Sequence, residues 1–166
     1  MTYLGVTSRG MLRLPFLHVL ANAHVQLMVP LGAPPDAIAG WGRRPTTRKA
    51  RAIAQRLSVP FWALEDGFLR SFGTGDRFPP LSLVLDRQGI YYDAYVCSQL
   101  ESLLNSTEDV LLDQAQDVWR ARALLISNHL SKYNSAPFLA SSALRDDDVQ
   151  RVLVIDQTAG DMSVAL

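Results

Sequence analysis

The chain holds one cysteine, Cys97, in 166 residues. That excludes an internal disulfide framework and any multi-cysteine metal site, and it fits a reducing compartment. The three histidines, His18, His24 and His129, have no metal-ligand spacing, and none stands beside a serine or cysteine in the manner of a triad. Net charge is missing as well: 16 basic and 16 acidic residues cancel, so no global field attracts nucleic acid or an anionic membrane. No uninterrupted apolar run approaches the ~18 residues of a membrane span. The spaced glycine fingerprint of dinucleotide-binding folds is absent, as is a phosphate loop ending in Gly-Lys-Ser/Thr, so NAD and ATP lose ground. There is no internal repeat and no low-complexity segment. After Arg9 and Arg13, the stretch Leu14 to Ala23 imitates a secretory leader, but Pro15 and His18 interrupt it, and export is not expected.

Lysine is also scarce. Only Lys49 and Lys132 stand against 14 arginines, and arginine is the better bidentate partner for carboxylate and phosphate. The bias suits an anionic ligand, and it equally suits a high-GC genome. What is plentiful is apolar material: 48% hydrophobic with 19% charged residues, the composition of a globular domain with a sizeable core.

Apolar runs and helical periods alternate, which predicts an α/β domain with a mainly parallel sheet. Strands are expected at Val25–Val29, at Ile38–Ala39 and at Phe61–Leu64, the last delivering Glu65-Asp66-Gly67 at its carboxyl end. A helix capped by Thr46 or Thr47 carries Ala50, Ile53, Ala54 and Leu57 on one face. Leu81–Leu85 and Ile90–Tyr92 read as an antiparallel hairpin, Ser98 as the cap of a short helix through Leu104, and Glu108 to Leu130 as a long helix. A last strand, Arg151 to Ile155, leads into Asp156-Gln-Thr-Ala-Gly-Asp161, placing a carboxylate where α/β folds collect their ligands.

Three clusters could carry chemistry. In Glu65-Asp-Gly-Phe-Leu-Arg-Ser71, adjacent carboxylates diverge into different environments and can take different roles. Arg70 there is either an anion contact or a structural ion-pair partner. In Gly40-Trp-Gly-Arg-Arg-Pro45, glycines that allow close approach join Trp41, Arg43 and Arg44 ahead of a helix start, which favours anions. Trp41 reads equally as a core residue under a tight loop. Asp161 beside Gly160 is either the N-cap of a following helix or a nucleophile for glycosyl transfer through an oxocarbenium-like transition state. Tyr92 offers a ring face to a sugar or base, or simply packs.

In order, Gly40-Trp-Gly-Arg-Arg-Pro45, Leu64-Glu-Asp-Gly-Phe-Leu-Arg-Ser71, Pro79-Pro-Leu-Ser-Leu-Val84, Gly89-Ile-Tyr-Tyr-Asp-Ala94, Leu130-Ser-Lys-Tyr-Asn134 and Val154-Ile-Asp-Gln-Thr-Ala-Gly-Asp-Met-Ser163 resemble the bacterial capsular polysaccharide β-Kdo transferase family (KpsC-like). Gly10-Met-Leu-Arg-Leu-Pro15 is similar to the start of the amino-terminal of two transferase modules in that family. The motifs cover nearly the whole chain. Cys97 departs from the pattern, standing where the family has proline before the capping serine.

The resemblance implies the Rossmann-like amino-terminal subdomain of a GT-B-like glycosyltransferase, with the first strand of a second subdomain. The expected division is an acceptor-side subdomain over residues 1–140 and, over 141–166, a linker and the start of the donor-binding subdomain. It implies transfer of Kdo (3-deoxy-D-manno-oct-2-ulosonic acid) from CMP-Kdo, with retention, to a lyso-phosphatidylglycerol-based glycolipid. Asp161 maps to the expected nucleophile, and Glu65 and Asp66 to the acidic pair of which one activates the acceptor hydroxyl. Arg43 and Arg70 are expected anion contacts, with Trp41 and Tyr92 as further substrate contacts. Neither a metal nor a cofactor is expected beyond CMP-Kdo as donor substrate. The implied location is the cytoplasmic face of the inner membrane, peripherally bound, near capsule export machinery. The donor-binding half is expected after Leu166, so the chain alone is expected to be inactive and to self-associate. An inactive remnant of the family, or a nucleotide-binding module unrelated to sugars, is the alternative.

Overall fold

The computed structural model describes residues 1–29, 32–75 and 77–138, together with 150, 152, 154 and 155. Five strands form one sheet in the order β2-β1-β3-β4-β5. They are β1 (Thr2–Val6), β2 (Ala23–Leu27), β3 (Ala37–Trp41), β4 (Phe61–Asp66) and β5 (Leu83–Asp86). The pairs β1–β2, β1–β3 and β3–β4 are parallel, and only β5 runs antiparallel, against β4. Two short helices, α1 (Arg9–Leu12) and α2 (Leu17–Leu20), connect β1 to β2, and α3 (Arg48–Leu57) connects β3 to β4. This is a Rossmann-like α/β arrangement. Strand order reverses at β1, the kind of switch point at which open parallel sheets bind ligands beyond their carboxyl ends.

The two faces of the sheet bury different side chains because the strand period is two. Leu4, Val6, Ala37, Ala39, Trp62 and Leu64 form one core with Leu17 and Ala21 of the α2 region. Ile38 packs on the other side against Ala50 and Ala54 of α3, with Ile53, Val59 and Phe61 around them. Three of the four residues of the expected apolar face of α3, Ala50, Ile53 and Ala54, are therefore packed on the sheet, whereas Leu57 at its last turn is 40% exposed. Its start differs: Pro45–Thr47 form a 3-10 turn, and the Thr47 hydroxyl donates back to the Arg44 carbonyl at 2.8 Å instead of capping the helix.

Central strand β1 has no counterpart among the strands expected from the sequence. Its five residues are interrupted by Gly5, where an added Cβ would press on the Met28 side chain, so the strand trades β-propensity for close packing. The expected hairpin is also revised. β5 pairs with β4, and Ile90–Tyr92 are not a strand. Asp86 explains why: its Oδ1 accepts the amides of Gln88 and Gly89, both at 2.8 Å, and its Oδ2 that of Gln99 at 2.9 Å. A buried carboxylate thus folds the chain after β5 into a turn and ties it to the start of the Gln99–Leu104 helix.

Ser98 caps α4 (Gln99–Leu104), as the sequence predicts, and Glu101 completes a capping box with it. The expected long helix contracts to α5 (Ala115–Ser127). Asp109 Oδ1 accepts the Leu111 amide at 3.0 Å, a local turn that competes with helix, and His129 ends the segment in left-handed backbone with φ of 52°. After α5, residues 131–134 return to the loop that follows β4. The Lys132 carbonyl accepts the amides of Arg70 and Ser71, and the Asn134 amide donates to the Phe72 carbonyl at 2.6 Å. The division expected near residue 140 falls outside the described residues, apart from the docking of 131–134.

Candidate active site at the carboxyl ends of β3 and β4

Glu65 and Asp66 are the last two residues of β4, so their side chains leave opposite faces of the sheet. Glu65 is 8% exposed. Its Oε1 accepts two hydrogen bonds, from Trp41 Nε1 at 3.2 Å and from the Asp66 amide at 3.1 Å. Its Oε2 is buried and makes no hydrogen bond among the described residues. The Tyr92 hydroxyl, also buried, faces that carboxylate and the Arg43 backbone, near enough for both to act on its proton but outside good hydrogen-bond geometry. Both oxygens lie against Gly42: a Cβ there would overlap the Tyr92 hydroxyl and come within 3.5 Å of Glu65 Oε2. Gly42 has φ of 63° and donates its amide to the Leu64 carbonyl at 2.7 Å. The Trp41-Gly42 step thus ties the two strand ends together and leaves room for a tyrosine that no other residue would allow.

Burial pushes the Tyr92 phenol up to about 12 from its ordinary 10.0, and the Glu65 carboxylate adds to the rise. The backbone of Arg43 and the charge of Arg44 oppose it. The phenol therefore keeps its proton throughout the physiological range. Arg43 Nε pairs with Asp93 Oδ2 at 3.1 Å, and the other Asp93 oxygen accepts the Tyr95 amide at 3.1 Å. That ion pair fastens the loop after β3 to the turn carrying Tyr92.

On the opposite side of β4, Arg70 holds Asp66 Oδ1 through Nε at 2.9 Å. Its Nη1 donates to Ser71 Oγ at 2.9 Å and to the Phe78 carbonyl at 2.6 Å. Tyr133 presents its ring to the guanidinium, 5.8 Å from the centroid. Lys132 accepts from the backbone of Arg70, as described above, so the residue is anchored at both ends.

Of the residues singled out in the sequence, the structure brings Trp41, Arg43, Glu65 and Tyr92 together in one cluster. Asp66 and Arg70 form a second cluster behind them. Asp161 lies outside the described residues. Gly42 and Asp93 belong to the first cluster and were not named individually beforehand. Asp93 follows directly on Tyr91-Tyr92 in the quoted stretch Gly89-Ile-Tyr-Tyr-Asp-Ala94, but nothing in that stretch indicated Arg43 as its partner. Among the described residues no group of three or more His, Cys, Asp and Glu side chains could hold a metal ion, and no helix is long and apolar enough to cross a membrane.

Residues 36–148 match the family model described as capsule polysaccharide biosynthesis protein. The chain is 42% identical over 163 residues to the capsule polysaccharide modification proteins LipA of Neisseria meningitidis serogroups A and B, covering 96% of itself and 23% of each relative. It is 37% identical over 137 residues to the lipopolysaccharide-processing protein LpsZ of Rhizobium meliloti, covering 30% of that protein. Among solved structures, Thermosulfurimonas dismutans KpsC, a beta Kdo 2,4 transferase, superposes with a TM-score of 0.82 at 43% identity, over 99% of this chain and 51% of that one. The chain spans about a quarter of the length of the curated relatives and half of the solved one. It belongs to the capsule polysaccharide biosynthesis family.

Proposed function

We propose that the chain is the acceptor-side, Rossmann-like part of a retaining β-Kdo transferase that moves Kdo from CMP-Kdo to a lyso-phosphatidylglycerol-based glycolipid at the cytoplasmic face of the inner membrane. The observation that carries this reading is the likeness to the T. dismutans beta Kdo 2,4 transferase at 43% identity over 99% of the chain. Retention requires two displacements. In the first, the Asp161 carboxylate attacks the anomeric carbon of Kdo and the bond to CMP breaks, the phosphate leaving with its electron pair. In the second, the acceptor oxygen attacks that carbon, the bond to Asp161 breaks, and the acceptor proton passes to a base.

Glu65 is the better base of the acidic pair. Its Oε2 has no hydrogen-bond partner among the described residues, whereas Asp66 Oδ1 is held by Arg70 in an ion pair. That contact occupies lone pairs a base would need. Arg43, at the start of the loop after β3, is assigned to the anionic groups of donor or acceptor, and Trp41 and Tyr92 to the walls around the acceptor hydroxyl.

The test is Kdo transfer from CMP-Kdo to a lipid acceptor mimic by the protein that carries this chain, with Asp161→Asn alongside. The variant is expected to lose turnover by on the order of 10³-fold or more, as loss of a covalent nucleophile does. Full activity in Asp161→Asn would remove Asp161 as nucleophile, and no transfer by the parent protein would remove the reading.

A further inference from the structure

Resting on the reading of Glu65 as base, we infer that Trp41 is a positioning residue: its indole N–H holds Glu65 Oε1 so that Oε2 is the oxygen presented, opposite the Tyr92 hydroxyl. A carboxylate has two equivalent oxygens until its surroundings distinguish them. Here Oε1 takes both available donors, Trp41 Nε1 at 3.2 Å and the Asp66 amide at 3.1 Å, while Oε2 takes none from the described residues. The amide is fixed by β4 itself and would hold Oε1 with any residue at position 66. The indole is the donor that the sequence could vary, and it arrives from the neighbouring strand β3, across the sheet, so it sets the rotation of the Glu65 side chain.

Gly42 and Tyr92 complete the arrangement. Gly42 follows Trp41 and carries no side chain into the space that the Tyr92 hydroxyl occupies. The hydroxyl is a donor and an acceptor, and the carboxylate oxygen only an acceptor. The Tyr92 hydroxyl is therefore the donor that faces Glu65 Oε2 in the free chain, and an acceptor hydroxyl that displaces it can donate its proton to the same oxygen. The charged groups facing Tyr92 are Glu65 and Arg44, and Arg43 is balanced by Asp93.

Tyr92 itself provides a readout that needs no turnover. Its elevation includes the Glu65 charge, so its titration reports where that carboxylate points. The experiment is ¹³Cζ-tyrosine NMR of the chain across pH 9 to 12, with the Tyr92 resonance assigned by Tyr92→Phe. Glu65→Gln removes the charge and is expected to move the Tyr92 midpoint down toward 10.0. Trp41→Phe keeps the ring, loses the N–H, and is expected to move it in the same direction as Glu65 rotates away. An unchanged Tyr92 midpoint in a folded Trp41→Phe variant would overturn the inference, whether or not Kdo transfer is ever observed.

Should Trp41→Phe not fold, the indole N–H itself is followed in the parent chain and in Glu65→Ala: faster exchange in Glu65→Ala at matched stability supports the bond, equal exchange refutes it. In the transfer assay, Trp41→Phe is expected to lower kcat by about 10² with KM nearly unchanged, the signature of a lost aligning donor. A rise in KM at constant kcat would mean that Trp41 only binds.

Discussion

The two faces of the β4 terminus handle a carboxylate in opposite ways. Behind the strand, Asp66 is paired with Arg70, and Arg70 is in turn tied to Ser71, the Phe78 carbonyl and, through its backbone, Lys132. In front, Glu65 is at least as buried, yet one of its oxygens and the facing Tyr92 hydroxyl are left without hydrogen bonds among the described residues. Buried polar groups are normally satisfied, and each exception asks for a reason. Satisfied side chains build a scaffold, and unsatisfied ones mark where the scaffold meets a ligand. Two adjacent residues of one sequence motif thereby divide structure from chemistry.

The contrast can be broken first at its rigid side. Arg70→Ala leaves Asp66 without its counter-ion and the Phe78 carbonyl without its donor. A loss of about 3 kcal/mol or more is expected, read as a lowered urea midpoint, and a loss below about 1 kcal/mol would show that the cluster is ornamental. Next comes Gly42→Ala, which puts a side chain at positive φ and into the Tyr92 hydroxyl. It should cost about 2 kcal/mol. Tyr92→Phe in the same chain should return part of that cost, and strict additivity of the two changes would deny the contact.

Tyr92→Phe alone should lie within about 1 kcal/mol of the parent at neutral pH, since the contacts its hydroxyl makes with Glu65 and the Arg43 backbone fall short of good hydrogen-bond geometry. Its effect is expected in alkali. The folded chain holds the Tyr92 proton up to about 12, whereas an unfolded tyrosine releases it near 10.0. The folded state therefore binds more protons between those values, and stability falls as pH rises through that window. Below pH 10 the group adds no pH dependence. Urea midpoints at pH 9 and pH 11 should differ less in Tyr92→Phe than in the parent, and an identical drop in both would contradict the assignment. The smallest effect is expected at Arg120→Ala, whose pair with Asp117 is 80% and 73% exposed. It should stay within about 0.5 kcal/mol.

Much of this contrast was legible in the sequence, and the reasons for the rest are physical. Phe61–Asp66 announced itself because an apolar run ended in two carboxylates and a glycine. Most of the apolar face of α3 followed from helical spacing, Leu57 excepted, and the α4 cap from Ser98. Strand β1 escaped notice because Gly5 weakens its pattern while Met28 fills the space, a tertiary bargain invisible locally. Ile90–Tyr92 looked like a strand because its composition is right, but Asp86 had already claimed the backbone amides around it. At the site, residue types indicated that Glu65 and Asp66 would diverge. They could not indicate which of the two would be paired, because the partner choice depends on the loop at Phe78 and the return of residues 131–134. Arg70 remained open between anion contact and structural pairing for the same reason.

The central claim is that Glu65 works on the ligand while Asp66 holds the fold. Side-by-side measurement of Glu65→Gln and Asp66→Asn tests it, recording melting temperature and Kdo transfer from CMP-Kdo for each in the protein that carries this chain. Glu65→Gln should keep its melting temperature and lose transfer by about 10² or more, whereas Asp66→Asn should melt earlier and retain transfer below its melting point. Full transfer in Glu65→Gln together with its loss in a folded Asp66→Asn would contradict the account.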